Sequence, residues 1–336
     1  MKTLLKVVLG LALALVILAS TGYAWASFTV KSKLSRTYEV HDVDFPIPYP
    51  TAEASAEESG VPDATADLSV AGGEAGEVPE DAALAAARDR GKHLVESRYA
   101  CIECHGANFG GGTMIDAPPI GRILGPNITR GEGSRTLAYT TADWDHIVRH
   151  GIKPDGTPAA MPSVDFLLMS DQELSDIVAY VTSVPPVDNT VPAPTLGPLG
   201  KLLIATDQLP LSADVIGSHQ SEHAAYPPAA AASAEFGRHL AGICTGCHGS
   251  AFAGGPVPGG DPSWPPARNL TPHEDGLAEW TYDDFVRALR EAKRPDGTDI
   301  RMPMAGMTQY AANMTDTEIE ALWAYLRTVP PMASGS

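Results

Sequence analysis

Apolar residues fall into three patterns along this chain. The first is an unbroken run. Val7 to Val30 carries no charged side chain, and as a helix it would be about 36 Å long, enough to span a hydrocarbon core of ~30 Å with some tilt. Lys2 and Lys6 precede it, and Tyr23, Trp25 and Phe28 lie near its far end, where amphipathic rings favour a membrane interface. A cleaved signal peptide is the rival reading, with Val7–Ala19 as its apolar region and Ala24-Trp25-Ala26 as its cleavage site. The run continues well beyond a signal's usual length, which favours an uncleaved anchor over residues 1–30. Lys31, Lys33 and Arg36 follow on the other side, so charge asymmetry says little about orientation. Either reading exports the remainder of the chain.

The second pattern is a near-absence of apolar clustering. Thr51 to Asp81 holds nine acidic residues and no Lys or Arg. Such a stretch cannot bury enough apolar surface to order itself, so residues 31–84 are expected to be an acidic linker with a disordered tether at 51–81. The third pattern has helical period. Leu174, Ile177, Val178 and Val181 recur at i, i+3, i+4, i+7, and Leu322, Tyr325 and Leu326 repeat the motif. Capping boxes open both segments, at Ser170-x-x-Glu173 and Thr315-x-x-Glu318, and double prolines close them at Pro185-Pro186 and Pro330-Pro331. Thr140-x-x-Asp143 and Thr281-x-x-Asp284 mark a middle helix, and Asp81–Ser97 reads as a first helix. No stretch alternates convincingly with a strand's period. The predicted fold class is all-α.

These helices belong to a duplication. Gly91-Lys-His93-Leu, Cys101-x-x-Cys104-His105-Gly, Asn127-Ile-Thr129, Pro154-Asp-Gly-Thr157, Met161-Pro, Ala179-Tyr180 and Val184-Pro-Pro recur in order as Gly237-Arg-His239-Leu, Cys244-x-x-Cys247-His248-Gly, Asn269-Leu-Thr271, Pro295-Asp-Gly-Thr298, Met302-Pro, Ala324-Tyr325 and Val329-Pro-Pro. The offset between matching motifs is nearly constant along the series. A collinear series of this length marks two tandem domains, expected at 85–187 and 233–336. The Pro- and Ala-rich linker 188–232 between them contains one apolar piece, Leu199–Ala205, expected to pack between the domains.

Composition narrows the function. The 336 residues carry 23 Lys and Arg against 41 Asp and Glu, a net charge of −18, which argues against nucleic acid as a partner. Four cysteines rule out a disulfide-built scaffold. Domains of about 100 residues with long loops are marginal on burial alone and gain from a large internal apolar cofactor.

All four cysteines lie in the two Cys-x-x-Cys-His motifs, the c-type haem attachment pattern. Cys101 with Cys104, and Cys244 with Cys247, are spaced to reach the two vinyl groups of one porphyrin each. His105 and His248 then offer an imidazole to iron. Two covalently bound haem c groups are therefore expected. For the sixth ligand, Met161 follows His105 at almost the same interval as Met302 follows His248, both within Pro-Asp-Gly-Thr-x-x-x-Met-Pro. Thioether sulfur is a soft ligand that raises the haem potential. Met169 and Met314 also repeat, but each directly precedes a capping box, a position suited to a hydrophobic staple. Met304 and Met307 have no counterpart in the first half. His93 and His239 repeat upstream of the motifs and read as exposed or packing residues. His146, His150 and His273 do not repeat, and His41, His219 and His223 lie in linkers. A structural zinc site or a redox dithiol would use Cys-x-x-Cys too, but the two pairs lie in separate repeats and each carries its own His.

Cys-x-x-Cys-His early, Met-Pro late and a final helix with Tyr180 or Tyr325 resemble class I cytochrome c, in which the first and last helices cross at a glycine; Gly91 and Gly237 match that position. The added Asn-[Ile/Leu]-Thr and Pro-Asp-Gly motifs are similar to the cytochrome subunits of membrane-bound periplasmic dehydrogenases and related dihaem cytochromes, where Asn127 and Asn269 would lie beside the haem edge. Those subunits usually carry three haem domains, and this chain has two. The resemblance implies a non-enzymatic electron carrier with His105/Met161 and His248/Met302 as axial pairs, anchored in the inner membrane with its domains on the periplasmic side. Its implied partners are redox proteins: a dehydrogenase, a quinol-oxidising complex, an oxidase or a soluble cytochrome. The alternatives are a subunit of a larger dehydrogenase or respiratory complex, and a dihaem peroxidase, against which the repeated Met-Pro argues.

Overall fold

The computed structural model describes residues 2–50, 80–258, 260–261 and 263–336, so the tether expected at 51–81 lies almost wholly outside the described residues. The described chain is mostly helical. Helix α1, Lys2–Leu34, takes up the charge-free run. Its apolar side chains from Leu4 to Leu18 are exposed, whereas Ala26 and Val30 near its end are buried.

In the first half, α2 (Glu80–His93) runs into a π-helical turn, Leu94–Arg98, and the attachment motif forms the short α3, Cys101–His105. A hairpin comes next, β1 (Gly112–Ala117) and β2 (Gly121–Gly125), then α4 (Thr141–His150), a 3-10 turn at Ser163–Phe166 and α5 (Asp171–Val181). The linker contributes β3 (Thr195–Leu196), α6 (Pro198–Ala205) and α7 (Ser212–Val215). The second half repeats the helices: α8 (Ala234–Leu240), a 3-10 turn through Cys244, α9 (Thr245–His248), α10 (Tyr282–Glu291), α11 (Met304–Ala311) and α12 (Asp316–Leu326).

The expected caps form. Thr140, Ser170, Thr281 and Thr315 each accept from the backbone N–H three residues on, and the acidic side chain there returns a bond to the cap N–H. The crossing of first and last helices is backbone-tight in both halves. A Cβ on Gly91 would sit 2.0 Å from the Asp176 carbonyl oxygen, and one on Gly237 would sit 1.9 Å from that of Ala321. Only glycine allows that approach. Met169 and Met314, ahead of the capping boxes, are buried in the two cores.

Three features differ from the sequence expectation. The first half's hairpin and the linker strand together form a three-stranded antiparallel sheet, ordered β1-β2-β3. Its alternation is broken by a register shift between Thr113 and Ile115, which hides the period of two. The apolar piece Leu199–Ala205 does not pack between the domains. It forms most of α6, whose Ile204 and Ala205 pack on Ala26 and Val30 of α1. Residues 35–50, counted with the linker, lie along the first domain: Tyr38 N–H donates to the Gly156 carbonyl at 3.0 Å, Tyr49 N–H to Ser175 Oγ at 2.9 Å, and Phe45 enters the core.

The two halves dock through a reciprocal pair of contacts. His93 Nε2 of the first lies 3.0 Å from Glu318 Oε1 of the second, and His239 Nε2 of the second lies 2.9 Å from Glu173 Oε1 of the first. Both histidines occupy one repeated position and both glutamates another. The two glutamates also close their own capping boxes. Arg98 bridges them, with Nη1 3.0 Å from Glu173 and Nε 2.6 Å from Glu318, and its guanidinium lies over Phe236 at 5.3 Å.

Candidate haem sites

Each attachment motif is held by the same set of backbone bonds. Cys101 packs on the first core and Cys244 on the second, and burial pushes both thiols up to about 12. The chain then turns at Gly106 (φ 78°) and Gly249 (φ 75°). Phe109 N–H returns to the Gly106 carbonyl at 2.9 Å, and Phe252 N–H to that of Gly249 at 3.0 Å. Both phenylalanines are left-handed, φ 58° and 59°, which costs a non-glycine residue about 1–2 kcal/mol. Their carbonyls accept from Ile128 and Leu270 N–H, and their rings meet Tyr180 and Tyr325 edge-on at 5.9 and 5.8 Å. Phe109 and Phe252 are therefore hubs joining the motif, the Asn-x-Thr loop and the last helix. The repeat Cys-His-Gly-x-x-Phe carried that signal in the sequence.

The Asn-x-Thr loops orient the histidines. His105 Nδ1 lies 2.9 Å from the Pro126 carbonyl and His248 Nδ1 lies 2.7 Å from that of Arg268, each the residue before the asparagine. A carbonyl only accepts, so Nδ1 carries the proton and Nε2 keeps a free lone pair. Burial lowers both imidazoles' proton affinity. The polar atoms of the buried Asn127 are used within the chain: Nδ2 donates to Val187 and Asn189 carbonyls, and Oδ1 accepts from Thr129. Asn269 repeats this with Met332 and Thr271. These asparagines lock the segment after the last helix against the loop that aims the histidine.

The Pro-Asp-Gly-Thr motifs make matching tight turns, with Asp155 Oδ1 accepting from Thr157 N–H and Asp296 Oδ1 from Thr298 N–H, each at 2.9 Å. The two methionines beyond these turns sit differently. Met161 packs on the same core as Cys101, and its carbonyl accepts from Ser212 Oγ at 2.8 Å. Met302 is 57% exposed, at the start of α11 and outside the second core. Its sulfur lies over Gly306, 3.5 Å from where a Cβ would be. In each half two thiols and one oriented imidazole stand together as a c-type haem requires; Met161 shares the core that Cys101 packs on, whereas Met302 is not brought onto the core that takes Cys244.

A family profile described as "Cytochrome c" matches residues 89–185 and again 234–330. The chain belongs to the cytochrome c family. It is 30% identical, over 69% of its length, to the cytochrome c subunit of a quinone-dependent alcohol dehydrogenase from Gluconacetobacter polyoxogenes, of which it covers 54%. It is 27% identical over 74% of its length to a gluconate 2-dehydrogenase cytochrome c subunit from Pantoea cypripedii, of which it covers 61%. It is 24% identical over 68% of its length to a dihaem c-type cytochrome from Cereibacter sphaeroides, 82% of which it covers. The chain thus spans about half the length of the dehydrogenase subunits it matches. This cytochrome c is an electron-transfer protein, and its family binds haem c.

The two motifs of this cytochrome also lean on each other's domains. Glu103, inside the first motif, accepts from Tyr310 Oη and from Gln309 Nε2 at 3.1 Å, both on α11 of the second domain. Asp165, four residues after Met161, lies against the second motif: a Cβ on Gly246 would sit 2.6 Å from its Oδ2. Burial raises the Asp165 carboxyl to about 6.

Proposed function

We propose that this cytochrome is a membrane-tethered dihaem relay that passes single electrons between redox partners on the periplasmic face of the inner membrane. Cys101 and Cys104 would hold one haem c and Cys244 and Cys247 the other. His105 with Met161, and His248 with Met302, would fill the axial positions. Bound haem supplies a one-electron ferric/ferrous couple. The protein's part is to fix and tune it. The Pro126 and Arg268 carbonyls hold the Nδ1 protons and keep each His Nε2 aimed.

The observation that carries the relay is the reciprocal packing: the residues soon after each Met-Pro contact the other domain's Cys-x-x-Cys-His. Electron exchange between two such neighbouring centres needs no diffusion step. The anchor reading draws support from α1, whose last turns dock on the body: Lys201 Nζ donates to Tyr23 Oη at 2.8 Å, and Ala26 packs with Ile204 and Ala205. A processed signal peptide has no reason to keep such contacts. The dehydrogenase relatives favour a second reading, in which this chain is the electron-accepting subunit of such a complex; co-purification of a dehydrogenase from detergent-solubilised membranes would establish it.

A redox titration of the purified protein, followed by its visible spectrum, tests the relay. Two low-spin haems with separable potentials are expected. Met302→Ala should leave both haems attached, lower one potential and open that iron to added ligands. An unchanged spectrum and potential would show that Met302 is not a ligand, and a single haem would remove the relay.

A further inference from the structure

Four side chains from three separate stretches of the chain converge beside the first domain. His41 comes from the arm after α1, Asp145 and His150 from α4, and His223 from the linker before α8. One ligand atom from each lies within 4.8 Å of all the others. Asp145 is fully buried, His150 nearly so. His150 Nε2 is 3.1 Å from His223 Nε2 and 3.7 Å from Asp145 Oδ2. His41 Nε2 is 3.9 Å from Asp145 Oδ2, and His223 Nε2 is 3.9 Å from Asp145 Oδ1. Four donors bound tetrahedrally at about 2.0–2.1 Å would be ~3.3 Å apart, and the observed separations straddle that spacing.

The outer hydrogen bonds fix where the protons are. His223 Nδ1 lies 3.2 Å from the Leu167 carbonyl and His41 Nδ1 lies 3.3 Å from that of His219. Carbonyls only accept, so both Nδ1 atoms carry hydrogen and both Nε2 atoms present lone pairs. His219 Nε2 lies 3.1 Å from the Ala213 carbonyl, so its Nδ1 is an acceptor, and it faces His150 Nδ1 at 3.1 Å. His150 therefore donates from Nδ1 and turns its Nε2 lone pair inward as well. Asp145 Oδ1 accepts from Arg149 Nε at 2.6 Å, while Oδ2 is buried with no hydrogen-bond partner. Three imidazole lone pairs and one orphaned carboxylate oxygen thus face one point with no donor among them. That arrangement is repulsive unless a cation occupies it. The outward hydrogen bond on every ring is the support that metal-bound histidines have.

We propose that His41, Asp145, His150 and His223 bind one divalent transition-metal ion, zinc by the tetrahedral nitrogen-and-oxygen donor set. Four protein donors close the coordination sphere, so the ion's role is structural. It ties three separate pieces of chain together: the arm leading from α1, the middle helix of the first domain, and the linker to the second. None of the four is among the proposed haem ligands. A surface cleft lined by Gly217, Ser218 and Glu222 reaches His150 and His223 and gives the ion a way in.

The test uses the full-length holoprotein, without a polyhistidine tag, in detergent. After exposure to micromolar Zn2+ and dialysis, elemental analysis should find about one zinc per two haem irons. X-ray absorption at the zinc edge should show imidazole scattering and a first shell at about 2.0 Å. His150→Gln and His223→Gln should each reduce bound zinc to background while the haem spectrum stays unchanged. Zinc at background in the unaltered protein would overturn the proposal, as would equal zinc in protein and variants. If a variant loses haem, the unaltered protein's metal content and absorption edge still decide the matter.

Discussion

Around the first domain lie the arm 35–50, a three-stranded sheet, the helices α6 and α7, and the histidine cluster. Among the described residues, the second domain has an isolated bridge between Gly255 and Ala267 where the first has its hairpin. The shared parts match in kind: glycine at the helix crossing, left-handed phenylalanine, asparagine lock, carbonyl-aimed histidine. The contrast separates the requirements of a haem-binding half from its attachments. The repeated bonds serve the motif, the helix caps and crossing, and the docking of the halves. The unrepeated ones serve the tie to α1 and the linker. Met161 packs on its core while Met302 is mostly exposed, so the second domain presents its Met-Pro loop to the outside more openly.

The strongest way to break this comparison is at the crossings. Gly91→Val and Gly237→Val both drive a side chain into backbone, and each should destabilise its own domain by more than about 3 kcal/mol. The wrapped first domain should keep its haem in Gly91→Val, whereas Gly237→Val should yield protein with little second haem. Haem counts and denaturant midpoints measure this, and equal loss in both would show that the wrapping contributes nothing.

A smaller effect is expected at the docking contact. Glu318 is buried, which opposes its charge, but the bond from His93 and the Arg98 guanidinium overrule that and hold it at about 2, below the ordinary 4.5. A depressed carboxylate stabilises fully above its ordinary value and ceases to do so as pH falls towards its folded value. Docking should therefore loosen between about pH 4.5 and pH 2. Glu318→Gln should cost about 1–2 kcal/mol at neutral pH and flatten that acid limb. Acid unfolding followed by haem absorbance checks it, and an unaltered slope would sink the assignment.

The smallest effect concerns one helix end. Gly151 closes α4 at φ 68°, and its counterpart Ala292 closes α10 at φ 54°. Ala292→Gly should relieve left-handed strain and stabilise the second domain by about 0.5–1 kcal/mol, visible as a higher denaturant midpoint. The reverse change, Gly151→Ala, should cost a similar amount in the first.

Much of the site could be read because it is local. The Cys-x-x-Cys-His triplets, the capping boxes and the Pro-Asp-Gly-Thr turns are set by neighbours within a few residues, so sequence spacing carries their geometry. Duplication made each legible twice. The hairpin was hidden by its register shift, and α6 was legible as apolar but not as a partner for α1. His93 and His239 gave no sign of facing Glu318 and Glu173, because each pair lies in different domains.

By itself the sequence determined two matching halves, their helix ends, an apolar N-terminal helix and the Cys-x-x-Cys-His and Met-Pro motifs of each half. Tertiary structure alone decided which half meets which, where the linker packs, and that His41, Asp145, His150 and His223 share one point. The physical reason is range. A helix cap or a two-thiol clamp is fixed by bonds between near neighbours. A cluster whose members stand as far apart in the chain as His41 and His223 exists only once burial has brought its separate segments together.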